Sequence, residues 1–554
     1  MTERARSTLP ALRPEALLAL AFFAVTALVG LSGRLADDEG YLTFIGASVV
    51  AREPLAGLFF QKIHPSTSAL FAPFAAVGWR VFLTAHAAAA ALAVYFLGGV
   101  ARRLGRGPAW LPPLLLACSP LYLLSAATGQ SNSTAVLFFV GALALLDGSP
   151  RARVVAGALA AAGLWSRYEQ APYLLALVLF DVVHRRRAQA LAGFAAAAGV
   201  YVVAGALYHG SALWLVTRPP VLLQETAPTT MSSLALDGPG VASLLSGFFL
   251  LTPLALAPLL LRPSTMHVAL RWLAVTLALA LSAQLALPQL GRLFNYDYTA
   301  RYFLCHLPVI ALLVGEAVAD ERPAARRAIA LGVVGVALAF TLPRGPYGAA
   351  GAALFAAPWL TLLLPRRAVA AAACALAGVL AAPSLSRRHT SARPIAGLSA
   401  AVDALERAPR DAAVYTNLHQ LQAALDARGS ARRVRFLVGY DMLFELGEEL
   451  GGRHSAQSAA VFRALRPVLY GDALWPCEFP HRPPVGSYLV LARSERASEV
   501  YSLRPWILAS ERVTVASPVQ VWRVRREVTV PRRPLPGWMP ESSFALPCAS
   551  ESSR

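Results

Sequence analysis

From near residue 14 to near residue 385 the chain is a succession of apolar runs, each about 16–20 residues long and closed by a short polar break. A backbone placed in hydrocarbon must satisfy its hydrogen bonds within itself, so runs of this length and number fold as membrane-crossing helices. Length alone, 554 residues, would suggest several soluble domains, but 56% hydrophobic against 15% charged residues argues for a polytopic α-helical membrane protein. Thirteen spans are expected, over residues 14–32, 82–100, 109–127, 132–147, 153–166, 170–183, 188–208, 241–261, 267–287, 302–318, 327–342, 347–364 and 367–384. The apolar stretch 67–81, broken by Pro73 and Arg80, reads as a re-entrant or interfacial piece. No cleaved signal peptide is expected, because the first run is long enough to span and TERAR ahead of it reads as a cytoplasmic anchor.

The formal net charge of +19 invites a nucleic-acid reading, but its placement argues against one. TERAR, ARRLGR, SPRAR, HRRR, RPS, ERPAARR and PRR all fall on one side of the thirteen spans, which is cytoplasmic by the positive-inside bias. The opposite side carries the loop of Asp37, Asp38 and Glu39, then GQSN, SRYEQ, the loop 209–240, NYDYTAR and RGPYG. Only SRRHTSAR, after the last span, runs against the bias. The five cysteines form no CxxC pair; Cys477 and Cys548 lie in the tail, and sequence leaves their pairing open.

Residues 1–388 are therefore read as the membrane domain and 389–554 as a soluble extracytoplasmic domain. In the tail the apolar runs shorten to strand length: AAVYT (412–416), RVRFLVG (433–439), a strand at 488–492 and VQVWRV (519–524). LHQLQAALDARG, ended by Gly429, and DMLFELGEELGG read as helices, which together make a small α/β domain.

Three consecutive acids beside a span are costly unless they face water, a cation or a reacting group. Asp37 or Asp38 can cap the helix that begins near Glu39, and YLTFIGASVVARE, with Leu42, Ile45 and Val49 on one face, can lie flat at the interface. The functional reading gives one carboxylate a proton to take from an attacking hydroxyl, with Asp38 the first choice and Glu39 the second. Alternatively, Asp38 binds a divalent cation, Mg2+ or Mn2+, that neutralises a phosphate leaving group.

Lys62 and His64 close the same loop and suit a phosphate, although a snorkelling Lys and a turn-marking Pro65 explain them as well. Arg167 and Glu169 in SRYEQ either pair at a hairpin tip or contact phosphate and sugar hydroxyls. Gln130 and Asn132 can hydrogen-bond hydroxyls but cannot act as bases. Arg301 opens a late span and can clamp a lipid phosphate bidentately; Tyr302 beside it is a substrate contact or an interface aromatic.

In this order and sidedness, ADDEGY, HPSTSALFAP, SPLYLLSAATGQSN and ARYFLCHLP resemble the GT-C superfamily of membrane glycosyltransferases. The likeness is to its polyprenyl- or dolichyl-phosphate-sugar branch, which includes protein mannosyltransferases and the lipid A aminoarabinose transferase. It implies a GT-C-like fold, an acidic pair at Asp38-Glu39 in the first outer loop and a polyprenyl-phosphate-linked sugar as donor. It also implies a carrier such as undecaprenyl phosphate, a bacterial inner-membrane location and a small extracytoplasmic domain. Many relatives carry Asp where this chain has Asn132, so a second acid would have to come from Glu39, Glu169 or Glu225. In the implied reaction Asp38 deprotonates a hydroxyl of a glycan, lipid or protein acceptor. Arg301, with Arg167 or Lys62, offsets charge on the departing phosphate, and displacement inverts the anomeric centre. Two other classes are weighed against this one: a transporter, which should show paired broken spans, and a non-catalytic scaffold.

Overall fold

The structure, a computed structural model, describes residues 13–32, 38–52, 54–59, 64–209, 212–217, 266–290, 304–317, 396–416, 418, 420–436, 484–492, 507–516 and 519–527. The expected spans at 241–261, 327–342, 347–364 and 367–384 lie outside these residues, as do the helix expected from DMLFELGEELGG, Cys477 and Cys548.

Proline opens α1 (Pro14–Leu31), where its missing N–H costs nothing. Glu15, Ala19, Phe22, Thr26 and Gly30 form its buried stripe at helical spacing, while Leu17, Leu20 and Leu28 are exposed on the other side. Such outward leucines suit lipid. The acidic segment follows as α2 (Asp38–Arg52) and α3 (Pro54–Phe59), then α4 (Pro65–Val77) and α5 (Trp79–Leu104). At 26 residues, α5 is about 39 Å long, enough to cross the roughly 30 Å hydrocarbon layer with turns to spare.

The next helices are α6 (Leu111–Ala117), α7 (Pro120–Thr128), α8 (Ser131–Leu145), α9 (Pro150–Ser166) and α10 (Ala171–Leu179), the last prolonged by a π-helical turn over Phe180–His184. The expected third span is thus a bent pair, with α6 and α7 meeting at 61° beside Ser119-Pro120. Then come α11 (Gln189–His209), α12 (Trp214–Thr217), α13 (Val268–Leu290) and α14 (Leu307–Ala317). Three described helices, within α1, α5 and α11, are long and apolar enough to cross a membrane, or four with the bent pair. The protein is a multi-pass membrane protein.

Two ion pairs fasten the ends of these helices remote from α2. Arg102 near the end of α5 meets Glu15 at the start of α1 at 3.1 Å. Arg106 binds Glu316 of α14 through both its side chain, at 2.6 Å, and its backbone N–H, at 2.9 Å.

The tail forms a five-stranded sheet of β1 (Val414–Thr416), β2 (Val434–Phe436), β3 (Tyr488–Ala492), β4 (Ser510–Ala516) and β5 (Val519–Val524), in the order β2-β1-β3-β5-β4. β1 is parallel to β2 and β3, and β5 is antiparallel to β3 and β4. Helices α15 (Leu398–Glu406) and α16 (Leu421–Ala427) bury Val402, Leu405, Leu421 and Leu425 against Val414, Val434, Val490 and Val521. β4 and α15 were not expected from sequence.

The helix expected from YLTFIGASVVARE forms as α2, and it packs into the protein. Tyr41, Phe44, Ile45, Ala47 and Val50 are all buried, and Phe44 and Ala47 share a core with Phe71, Ala75 and Phe82 of α4 and α5. On its other side α2 closes directly onto the end of α7, where a Cβ on Gly40 would lie 1.9 Å from the Thr128 carbonyl oxygen. Only glycine allows that approach.

Gly40→Ala is expected to push α2 off α7 at a cost of about 1–3 kcal/mol. It should lower the thermal unfolding midpoint of the solubilised protein. Gly99→Ala in α5, with nothing within 4 Å of the added carbon, should not.

Candidate active site

α8 and α9, with 15 and 17 residues, are about 22 and 26 Å long, short of the roughly 30 Å layer. Ser131 and Asn132 open α8, and Ser166 and Arg167 lie at the end of α9. All four side chains are buried. Glu39, in the first turn of α2, and His64, the residue preceding α4, complete a polar centre drawn from four elements.

Arg167 is its hub. It is 3% exposed and extended in backbone (φ −155°), which lets the chain leave α9 and turn into a short 3-10 helix at Tyr168–Gln170. Its Nη2 donates to Glu39 Oε1 at 2.6 Å and to Asn132 Oδ1 at 2.9 Å. Its Nη1 lies 3.3 Å from His64 Nε2. A guanidinium has no acceptor, so the imidazole nitrogen accepts here and its proton resides on Nδ1. Ser131 Oγ adds a bond to Glu39 Oε1 at 2.9 Å, and Thr67 Oγ1 to Ser166 Oγ at 2.6 Å ties α4 to α9.

Of the sequence-derived candidates, the structure brings together Glu39, His64, Asn132 and Arg167, with Glu169 Oε1 at 4.0 Å from Arg167 Nε. The Arg167–Glu169 pair weighed for SRYEQ is present at 4.0 Å, but Arg167 is buried and its shorter ion pair is with Glu39. Asp38 is the first residue of α2, and its side chain lies outside the described residues. Asp37, Lys62, Arg301 and Tyr302 also lie outside them. Ser131, Thr67 and Ser166 were missed. Their signal was the small hydroxyls flanking Asn132, Arg167 and His64, which read as ordinary helix-end residues.

Oε1 of Glu39 already receives two donors, so this carboxylate serves geometry better than proton transfer. Among the described residues no three His, Cys, Asp or Glu side chains gather as a metal site. A guanidinium, not a further acid, stands between Glu39 and Glu169. The described residues do not fit a metal.

Of the late motif ARYFLCHLP, the described part begins at Leu304. His306 Nδ1 lies 2.5 Å from Tyr173 Oη, four residues beyond Glu169, so the chain entering α14 packs against α10.

Neither a family model nor a curated protein sequence matches the chain. Solved structures do. The crystal structure of ArnT from Cupriavidus metallidurans in the apo state aligns with a TM-score of 0.54 and 14% identity, covering 91% of this chain and 97% of that one. The same protein bound to undecaprenyl phosphate aligns with a TM-score of 0.54 at 16% identity and the same coverage. The arabinofuranosyltransferase AftD from Mycobacteria gives 0.43 at 16% identity, covering 92% of this chain and 40% of that one. The architecture is thus the GT-C membrane fold, in accord with the resemblance read from the short motifs.

Removing one member of a buried ion pair strands the other, at about 3–5 kcal/mol. Glu39→Gln and Arg167→Gln should each lower the unfolding midpoint sharply, and the double variant should lose much less than their sum. Additive losses would show that the two side chains do not interact.

Proposed function

We propose that this protein is a membrane glycosyltransferase. It moves a sugar from a polyprenyl-phosphate carrier to a hydroxyl-bearing glycan, lipid or protein at the outer face of the bacterial inner membrane. Its N-terminus is cytoplasmic and its tail extracytoplasmic. The observation that supports the proposal is the buried Glu39–Arg167–Asn132 cluster, in which Glu39 follows directly on Asp38, the first residue of α2. The GT-C fold shared with ArnT, a protein whose structure holds undecaprenyl phosphate, supports the choice of donor.

In this reading Asp38 takes the proton of the acceptor hydroxyl. The hydroxyl oxygen bonds to the anomeric carbon as the bond from that carbon to the phosphate oxygen breaks, and the polyprenyl phosphate leaves with inversion at the sugar. Lys62 and Arg301 are assigned to the phosphate, with Asp37 and Tyr302 beside the polar head of the donor. Arg167, neutralised by Glu39 and bonded to Asn132 and His64, holds the frame instead of binding phosphate itself.

The test is transfer by the purified protein in lipid nanodiscs, using a panel of polyprenyl-phosphate sugars and mixed envelope acceptors. Asp38→Asn should reduce transfer by about 100-fold or more without moving the unfolding midpoint. Unchanged transfer by that variant removes Asp38 as base. No transfer from any donor removes the transferase reading itself.

A further inference from the structure

The chain breaks between α4 and α5 at Gly78, whose φ of +147° strains any L side chain. The last carbonyls of one helix and the first N–H groups of the next therefore meet at one point. Gly78 has no side chain with which to cap either, and the caps come from the tail. Asp426 Oδ2 accepts from the Trp79 backbone N–H at 2.6 Å, and Arg433 Nη2 donates to the Val77 carbonyl at 2.9 Å. The two tail groups are themselves paired at 3.0 Å, and Gln422 Nε2 donates to Asp426 Oδ1 at 2.8 Å. An anion thus faces the positive end of α5 and a cation the negative end of α4.

This contact reaches the polar centre by two routes. Trp79 stacks on Tyr41, two residues beyond Glu39, with centroids 4.9 Å apart, and Ala423 of α16 packs with both rings. α4, whose last carbonyl Arg433 holds, starts beside His64, the neighbour of Arg167. We propose that Asp426 and Arg433 are positioning residues: the tail latches the α4–α5 break and thereby sets α2 and α4 in the register that brings Glu39 and His64 to Arg167. The activity consequence rests on the transferase reading; the structural one does not.

The experiment is hydrogen–deuterium exchange of the full chain in lipid nanodiscs, reading peptides over 39–50 and 79–86, alongside transfer kinetics. Asp426→Ala and Arg433→Ala should each speed exchange in both stretches. Asp426→Asn, which keeps an oxygen for the Trp79 N–H, should do so partially. Arg428→Ala, which cuts an ion pair with Asp403 inside the tail, should leave both stretches unchanged. In transfer assays kcat should fall by about tenfold or more in the alanine variants while the donor KM stays within about twofold, with Asp426→Asn between them and wild type. Faster exchange at 79–86 with none at 39–50 overturns the latch, as does unaltered kcat in variants whose 39–50 stretch has loosened. If the wild-type protein transfers no sugar, the transferase reading falls and exchange alone decides the latch.

Discussion

A guanidinium and a carboxylate held out of water 2.6 Å apart organise one end of this membrane bundle. Neither charge is tolerable in that setting alone, and neither reaches the other unless α2 and α9 arrive together. Asn132 from α8 and the imidazole before α4 then take positions around the same side chain, so one arginine fixes four chain segments. Hydrophobic packing between these helices is non-directional and in lipid contributes little preference for one register over another. The polar hub supplies the direction that packing lacks. At the other end, the pairs Glu15–Arg102 and Arg106–Glu316 do the same for α1, α5 and α14.

Much of the membrane part was legible in sequence because bilayer thickness imposes a length on every apolar run. Expected spans at 14–32, 82–100, 132–147, 153–166 and 188–208 fall on α1, α5, α8, α9 and α11 with small differences at the ends. One difference has a clear cause. α5 begins at Trp79 instead of 82, because its first N–H group is met by a carboxylate 347 residues away. The stretch 67–81, read as a re-entrant or interfacial piece interrupted by Pro73 and Arg80, is helical from Pro65 to Val77 with that proline inside it.

The site was legible residue by residue but not as a constellation. Acids after a first span, an Arg-Glu pair between close spans and amides opening a helix each stood out by type. Nothing local says that Arg167 prefers Glu39, 128 residues away, to Glu169, two residues away. That choice is made by the extended backbone at Arg167, which aims the guanidinium inward. In the tail, alternating apolar runs marked β1, β2, β3 and β5. β4 escaped because SERVTVA opens with three polar residues, as suits a strand at the edge of the sheet.

The cap that Asp426 provides for α5 also has a bearing on biogenesis. Chains are made from the N-terminus onward, so the acceptor for the Trp79 N–H is synthesised long after α5 itself. The bundle can insert with all its early helices in place and still have an unfinished joint beside its polar centre. Asp426 and Arg433 close that joint, so its completion is a late event in synthesis, well after the helices it joins have been made.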